Sequence, residues 1–171
     1  MDLREIRSSI IEPALLLLPA KMESPQAVVM LLAITRQEDP EQRRRQWPTG
    51  PARSLWQAEQ GGGMVTGLLN YRIHGVRDLA AGLCVGRGVV PAAPEVWSAI
   101  ERDDILAAGL ARLLLYTDPA RLPELGDEAG AWELYLRTWR PGAYDRGTPA
   151  QRADLRKKWA SNYAAALEVA Q

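Results

Sequence analysis

The chain holds a single cysteine, Cys84, and a single histidine, His74. One thiol cannot close an intramolecular disulfide, and one Cys with one His cannot supply the four ligands of a structural zinc site. A Ser-His-Asp triad would have to use His74, yet no serine stands in a G-x-S-x-G elbow. Gly61-Gly62-Gly63 lacks the Lys-Ser/Thr ending of a phosphate loop, and Gly86-x-Gly88 has no third glycine at the right offset for a dinucleotide turn. The class left open is chemistry without metal or cofactor, if there is chemistry at all. An excess of charge is missing too: 21 Lys+Arg balance 21 Asp+Glu. No basic field exists to hold a polyanion, so nucleic acid is not an expected partner. Zero net charge also weakens colloidal repulsion, which suits a chain with partners. Phenylalanine is absent while tryptophan occurs 6 times, and 18 arginines stand against 3 lysines. We read that imbalance as GC-rich coding, and it decides nothing about function. Long apolar runs are scarce: Pro13–Ala20, the most apolar early stretch, is far short of the ~20 residues that span a bilayer. Asp2, Glu5 and Glu12 precede it where a leader would be basic. The expectation is no cleaved signal and no membrane insertion.

At 171 residues the chain suits one domain able to bury a real core, and 47% hydrophobic with 25% charged residues is ordinary for a globular protein. Helical periodicity dominates. Residues 2–18 read as a helix ending at Pro19, with Pro13 a point of interruption. Ser24-Pro25 is a helix start, Ser at the N-cap and Pro at the first helical position. The helix it opens carries eight consecutive apolar residues, Ala27 to Ile34. A helix apolar on all sides is buried on all sides. It stops near Glu38-Asp39, because Pro40 disfavours helical geometry just before it. Residues 39–63 read as loop, followed by short helices near 64–72 and 76–84. Further helices are predicted around Val96–Ile100, from Asp103-Asp104 through Tyr116, and over 127–140, where Glu133 and Arg137 are spaced to pair. Thr148-Pro-Ala-Gln151 is a capping box opening a last helix over 149–169, with Leu155, Trp159, Tyr163 and Leu167 along one stripe. The sum is a mainly α single domain, 1–171, of about seven or eight helices around a buried central one.

Two segments carry the functional reading: Leu31-Leu-Ala-Ile-Thr-Arg-Gln-Glu38, and Thr49-Gly-Pro-Ala-Arg-Ser-Leu-Trp-Gln57. A glutamate ends a buried helix, and 19 residues later a small-residue turn closes with Leu-Trp-Gln. This layout resembles the active site of the lysozyme-like superfamily, in particular soluble lytic transglycosylases and phage lysozyme-like proteins. The resemblance spans about residues 24–145, with the helices 2–18 and 149–169 expected to pack on that core. It implies Glu38 as the catalytic acid and then base, and Gln57 with Leu55-Trp56 in the cleft turn. The later aromatics, Trp132, Tyr135 and the Trp139–Tyr144 run, fall where the family has an aromatic motif after a helix. Trp56, Tyr144 and Tyr135 are therefore carried with Gln57 as substrate-binding candidates, although the first reading of Trp132, Tyr135 and Trp139 is as core rather than as a sugar platform. The implied activity is cleavage of peptidoglycan glycan strands, by lytic transglycosylase or muramidase chemistry, without metal or cofactor. The implied setting is a phage virion, or the host cytoplasm before delivery to the periplasm. Partners would be glycan strands and other virion or tail proteins. The alternative is a catalytically inactive lysozyme-like structural or interaction protein of a virion.

The chemistry explains the residue types. Breaking a glycosidic bond needs an acid that protonates the leaving oxygen, so a Glu must hold its proton near neutral pH. Burial supplies that by disfavouring the charged form. Two departures from the family pattern bear on Glu38. Asp39 stands where the family has Ser, and a desolvated neighbouring carboxylate would raise the Glu38 pKa. Ser54 stands where the family prefers Gly, and a Cβ is expected to resist the left-handed backbone such a turn needs. Arg43–Arg45, read as a solvated loop, would lower the Glu38 pKa if it folded over the cleft. His74 is expected at a surface or helix end, and Cys84 as a buried small hydrophobe.

Overall fold

The computed structural model describes residues 1–170. Asp2 opens the first helix with a capping box: its carboxylate accepts from the Glu5 N–H, and Glu5 accepts from the Asp2 N–H. Helix α1 (Leu3–Ile6) runs without a break through a π-turn (Arg7–Ile11) into α2 (Glu12–Leu16). The expected interruption at Pro13 takes the form of this widened turn. Proline has no N–H to give and its ring crowds the carbonyl four residues back. The π-turn absorbs both conflicts, with the Glu12 N–H reaching Arg7 O instead.

Helix α3 (Pro25–Glu38) starts at Ser24, whose Oγ accepts from the Ala27 N–H at 3.1 Å. Its residues Ala27 to Thr35 are all buried, which makes it the centre of the molecule. The remaining helices are α4 (His74–Gly86), α5 (Ala93–Ala99), α6 (Asp104–Tyr116), α7 (Glu128–Trp139), α8 (Gly142–Asp145) and α9 (Pro149–Ala170). Helix α9 packs along α3 over more of its length than along any other element, and α6 closes α3 from another side. One continuous apolar core runs from Ile6 to Ala166. Among the described residues there is no strand, only isolated bridges joining Arg45, Arg53 and Ala58 within the loop that follows α3. None of the helices is long and apolar enough to cross a membrane.

Several local expectations differ in detail. The segment read as a helix over 64–72 is a π-turn (Gly63–Gly67) running into one further helical turn. The Trp139–Tyr144 run is broken at Arg140, which takes a left-handed conformation (φ 47°), before the short α8. Arg137 does not pair with Glu133. It reaches across to Asp118 at 2.9 Å. That carboxylate sits at the end of α6 and is better enclosed, so the guanidinium meets a preset acceptor rather than a mobile surface one. His74 is the exposed first residue of α4, and Cys84 is buried.

Candidate active site

Helix α3 ends at Glu38 because Asp39 leaves helical geometry (φ −138°, ψ 66°) just ahead of Pro40. The two adjacent carboxylates then part. Asp39 is buried and turns into the following loop, where its Oδ1 accepts from the Arg43 N–H (2.9 Å) and its Oδ2 from the Arg44 N–H (2.7 Å). Asp39 therefore serves the loop.

Glu38 faces the other way, into an open cleft of about 1230 Å³ that it shares with Gln57. Its side chain keeps only part of its surface on the cleft, and Oε1 accepts a hydrogen bond of 2.5 Å from the Tyr135 hydroxyl. Burial pushes the Glu38 pKa up from 4.5 to about 7, against a lowering by that hydrogen bond. Burial thus favours the protonated carboxyl to a higher pH than an ordinary carboxylate allows.

Tyr135 is held from behind. It lies on α7, stacked on Trp159 of α9 (centroids 4.8 Å apart, 18° between planes) and tilted against Trp132 at 5.4 Å. Such packing leaves the phenol few directions in which to point. Burial and the neighbouring carboxyl both raise the Tyr135 pKa, so it stays a hydrogen-bond donor throughout the working range.

The turn carrying Gln57 is fixed to the same elements. Ser54 adopts φ 71° despite its Cβ, so the expected resistance to the left-handed region is overcome. Two contacts hold it there: its N–H donates to Arg44 O (3.0 Å), and its Oγ accepts from the Trp56 N–H (3.2 Å). Gln57 is also left-handed (φ 50°), and its Nε2 donates to Ser54 O at 2.9 Å. Trp56 does not face the cleft. Its indole is fully buried and donates to Leu31 O of α3 at 3.2 Å, so no ring face remains for a ligand. Its carbonyl accepts from Trp139 Nε1 (3.0 Å), which ties the turn to α7.

Arg43 and Arg45 are exposed, as expected of a solvated loop, while Arg44 is half-buried. Arg44 grips Asp104 at the start of α6 through Nε (2.8 Å) and Nη2 (2.6 Å). Arg45 and Arg53 converge on Glu101 at 2.6 and 3.0 Å. Arg43 pairs with Glu41 and lies over the exposed Trp47 ring. Arg44, Arg45 and Arg53 clamp the loop to the segment entering α6, while Arg43 stays within the loop. The sequence shows the run but not its acids, which lie some 60 residues further along.

The site candidates thus divide. Glu38 and Gln57 share one cleft. Tyr135 is buried behind it and touches the acid, so its place is to position Glu38 rather than to hold a ligand. Tyr144 lies off the cleft, edge-on to Trp132 at 5.4 Å with Arg152 over its ring. Cleft residues that the motifs did not suggest include Gln46, Glu59, Tyr71, Arg140 and Arg146. Only the last two had a signal, since Arg140 lies within the Trp139–Tyr144 aromatic run and Arg146 two residues beyond it. Among the described residues no cluster of His, Cys, Asp and Glu is placed to hold a metal ion. In comparisons with known proteins, no family model, curated protein or solved structure matches this chain.

Proposed function

We propose that this protein cleaves glycosidic bonds in the glycan strands of peptidoglycan, with Glu38 as the general acid and then the general base. One observation carries the reading: a carboxyl group of raised pKa faces an open cleft, with an amide side chain, Gln57, on the same wall. At about 1230 Å³ the cleft exceeds the ~300–1,000 Å³ of a small-molecule pocket, which suits a polymer lying across it.

Each residue then has a role. Tyr135 donates to Oε1, so Oε2 is left to carry the acidic proton. That proton passes to the bridging oxygen as its bond to the anomeric carbon breaks. The resulting carboxylate takes the proton of the attacking hydroxyl, either water or the 6-hydroxyl of the same sugar. Attack by the 6-hydroxyl needs no activated water and hence no second carboxylate, so we favour the transglycosylase route. Gln57 supplies amide hydrogen bonds to the sugar beside the broken bond. The resemblance to phage lysozyme-like proteins extends the proposal to a module delivered with a virion.

Purified protein and its Glu38→Gln variant, added to chloroform-permeabilised Gram-negative cells, test the reading. Clearing by the wild type alone, with anhydro-muropeptides among the products, is the expected result. Reducing-end products without anhydro sugars would select hydrolysis. Equal clearing by both proteins, or by neither, removes Glu38 as the acid.

A further inference from the structure

The two glutamines that line the cleft hold their amides in opposite senses. Gln46 shares the cleft with Glu38 and Gln57. Its Oε1 faces the Ala52 N–H at 3.4 Å, where only an oxygen suits the donor, so the Nε2 hydrogens point elsewhere. Among the described residues nothing accepts from them. Gln57 is the reverse. Its Nε2 is engaged with Ser54 O at 2.9 Å, and among the described residues its Oε1 meets no donor. The cleft therefore receives amide donors from Gln46 and an amide acceptor from Gln57.

The loop that follows α3 sets this arrangement. Arg45 bridges Arg53, and Arg53 bridges Ala58, so the segment around Arg53 lies between the segments that carry Gln46 and Gln57. Two strand spacings of ~4.8 Å put those outer segments about 10 Å apart, a gap that two glutamine side chains can close on one small group between them. The Gln46 N–H also donates to Ala52 O at 3.1 Å, which closes a hairpin over 46–52. Arg53 Nη1 donates to Gly50 O (3.0 Å) and Trp97 Nε1 to Pro51 O (2.7 Å), so the tip of the hairpin is fixed from outside. The Gln46 side chain lies across Gly50. A Cβ there would stand 2.0 Å from Oε1, 2.2 Å from Cδ and 2.8 Å from Cγ. Glycine at 50 is what lets the amide lie in this place, and an alanine would push it aside.

Donors facing an acceptor across such a gap match a secondary amide, whose carbonyl accepts and whose N–H donates. In the glycan of the proposed function that group is the 2-acetamido substituent of the sugars. We infer that Gln46 is a specificity residue of the cleft: its Nε2 donates to the acetamido carbonyl of a bound sugar whose N–H donates to Gln57 Oε1, and Gly50 makes the room that presents it. A sugar with a hydroxyl at the same carbon is too short to meet both amides, and the unmet groups lower its affinity. The inference deepens the proposed function and rests on it for the identity of the polymer. Gln46 takes no part in the proton transfers at Glu38.

The test reads binding, so that it does not depend on turnover. The full chain carrying Glu38→Gln is titrated by calorimetry with chitotetraose, whose sugars bear acetamido groups, and with cellotetraose, whose sugars bear hydroxyls in their place. Chitotetraose should bind the more tightly. Adding Gln46→Met keeps the length of the side chain and removes its donors. It should weaken chitotetraose about 2- to 12-fold, the range for one neutral hydrogen bond, and leave cellotetraose unchanged. Gly50→Ala should weaken chitotetraose in the same way, and no further once Gln46→Met is present, because both act through one amide. Equal affinity for the two sugars, an unchanged affinity in Gln46→Met, or losses that add in the double variant would overturn the inference while leaving the Glu38 chemistry standing. Failure of both sugars to bind would overturn it as well, and the clearing assay then shows separately whether the glycan is a substrate.

Discussion

Replacing Glu38 by Gln should stabilise the protein, and by an amount that depends on pH. Glutamine keeps the size and shape of the side chain, and its Oε1 still accepts from Tyr135. What it removes is the cost of holding a carboxylate where burial disfavours charge. Below pH 4 the carboxyl is protonated in both the folded and the unfolded chain, and that cost is absent. Between pH 4.5 and about 7 the unfolded chain releases its proton while the folded chain keeps it. The folded state then binds more protons, so wild-type stability falls as pH rises. Above pH 7 the whole cost is present. The interval from 4.5 to about 7, at ~1.36 kcal/mol per pH unit, sets it at about 3 kcal/mol as an upper figure, because cleft water screens part of the charge. Urea unfolding of both proteins from pH 4 to 8.5 measures it directly. The two should be nearly equal in stability at pH 4, and the variant should be more stable by up to about 3 kcal/mol at pH 8. A difference that stays constant across the range would refute the reasoning, since it would mean that Glu38 titrates like a solvated carboxylate. Activity and stability are opposed at this position, as expected of a group held in an unfavourable state for function.

Three further outcomes follow from the same geometry. Tyr135→Phe removes the hydrogen bond that lowers the Glu38 pKa, so the alkaline limb of the pH–activity profile should move upward, while a purely packing role for Tyr135 would leave that limb in place. Asp39→Asn leaves one oxygen where two had accepted the Arg43 and Arg44 N–H groups, and should cost about 1–2 kcal/mol in denaturant unfolding; an unchanged midpoint would show that the loop is held by its arginines alone. Ser54→Ala and Ser54→Gly both lose the acceptor for the Trp56 N–H, but only glycine relieves the left-handed strain, so the glycine variant should be the more stable by roughly 1 kcal/mol. Equal stability of the two would show that the backbone at Ser54 is unstrained.

Local signals in the chain match local structure. Ser24-Pro25 starts α3, Asp103 caps α6 by accepting from the Leu106 N–H, and Thr148 and Gln151 exchange both capping-box hydrogen bonds. Each depends on residues within four positions, which is the reach of capping chemistry. The eight apolar residues of α3 announced its burial for a similar reason, since no helix face was left for water. Contacts between distant segments were not legible. The Tyr135–Glu38 hydrogen bond joins residues 97 positions apart, and the stripe that carries Tyr135 reads the same whether its hydroxyl meets a carboxyl or solvent. The place of Trp56 beside Gln57 marks it as a cleft residue. Yet residues 54 and 57 both turn left-handed, and the resulting tight turn sends the indole inward against α3. The acids that meet the arginine run were hidden for the same reason, because a sequence shows charges and not their distant partners. Burial of Glu38 lies between these cases: its place at the end of a buried helix was visible, and the wall of α7 that desolvates it was not.

The most direct measurement is the titration of the Glu38 side-chain carboxyl itself, followed by carbon NMR in the wild-type protein and assigned by its loss in Glu38→Gln. The account predicts a midpoint near pH 7. A midpoint near 4.5 would contradict it, for the proton that the mechanism spends would then already be in the solvent at neutral pH.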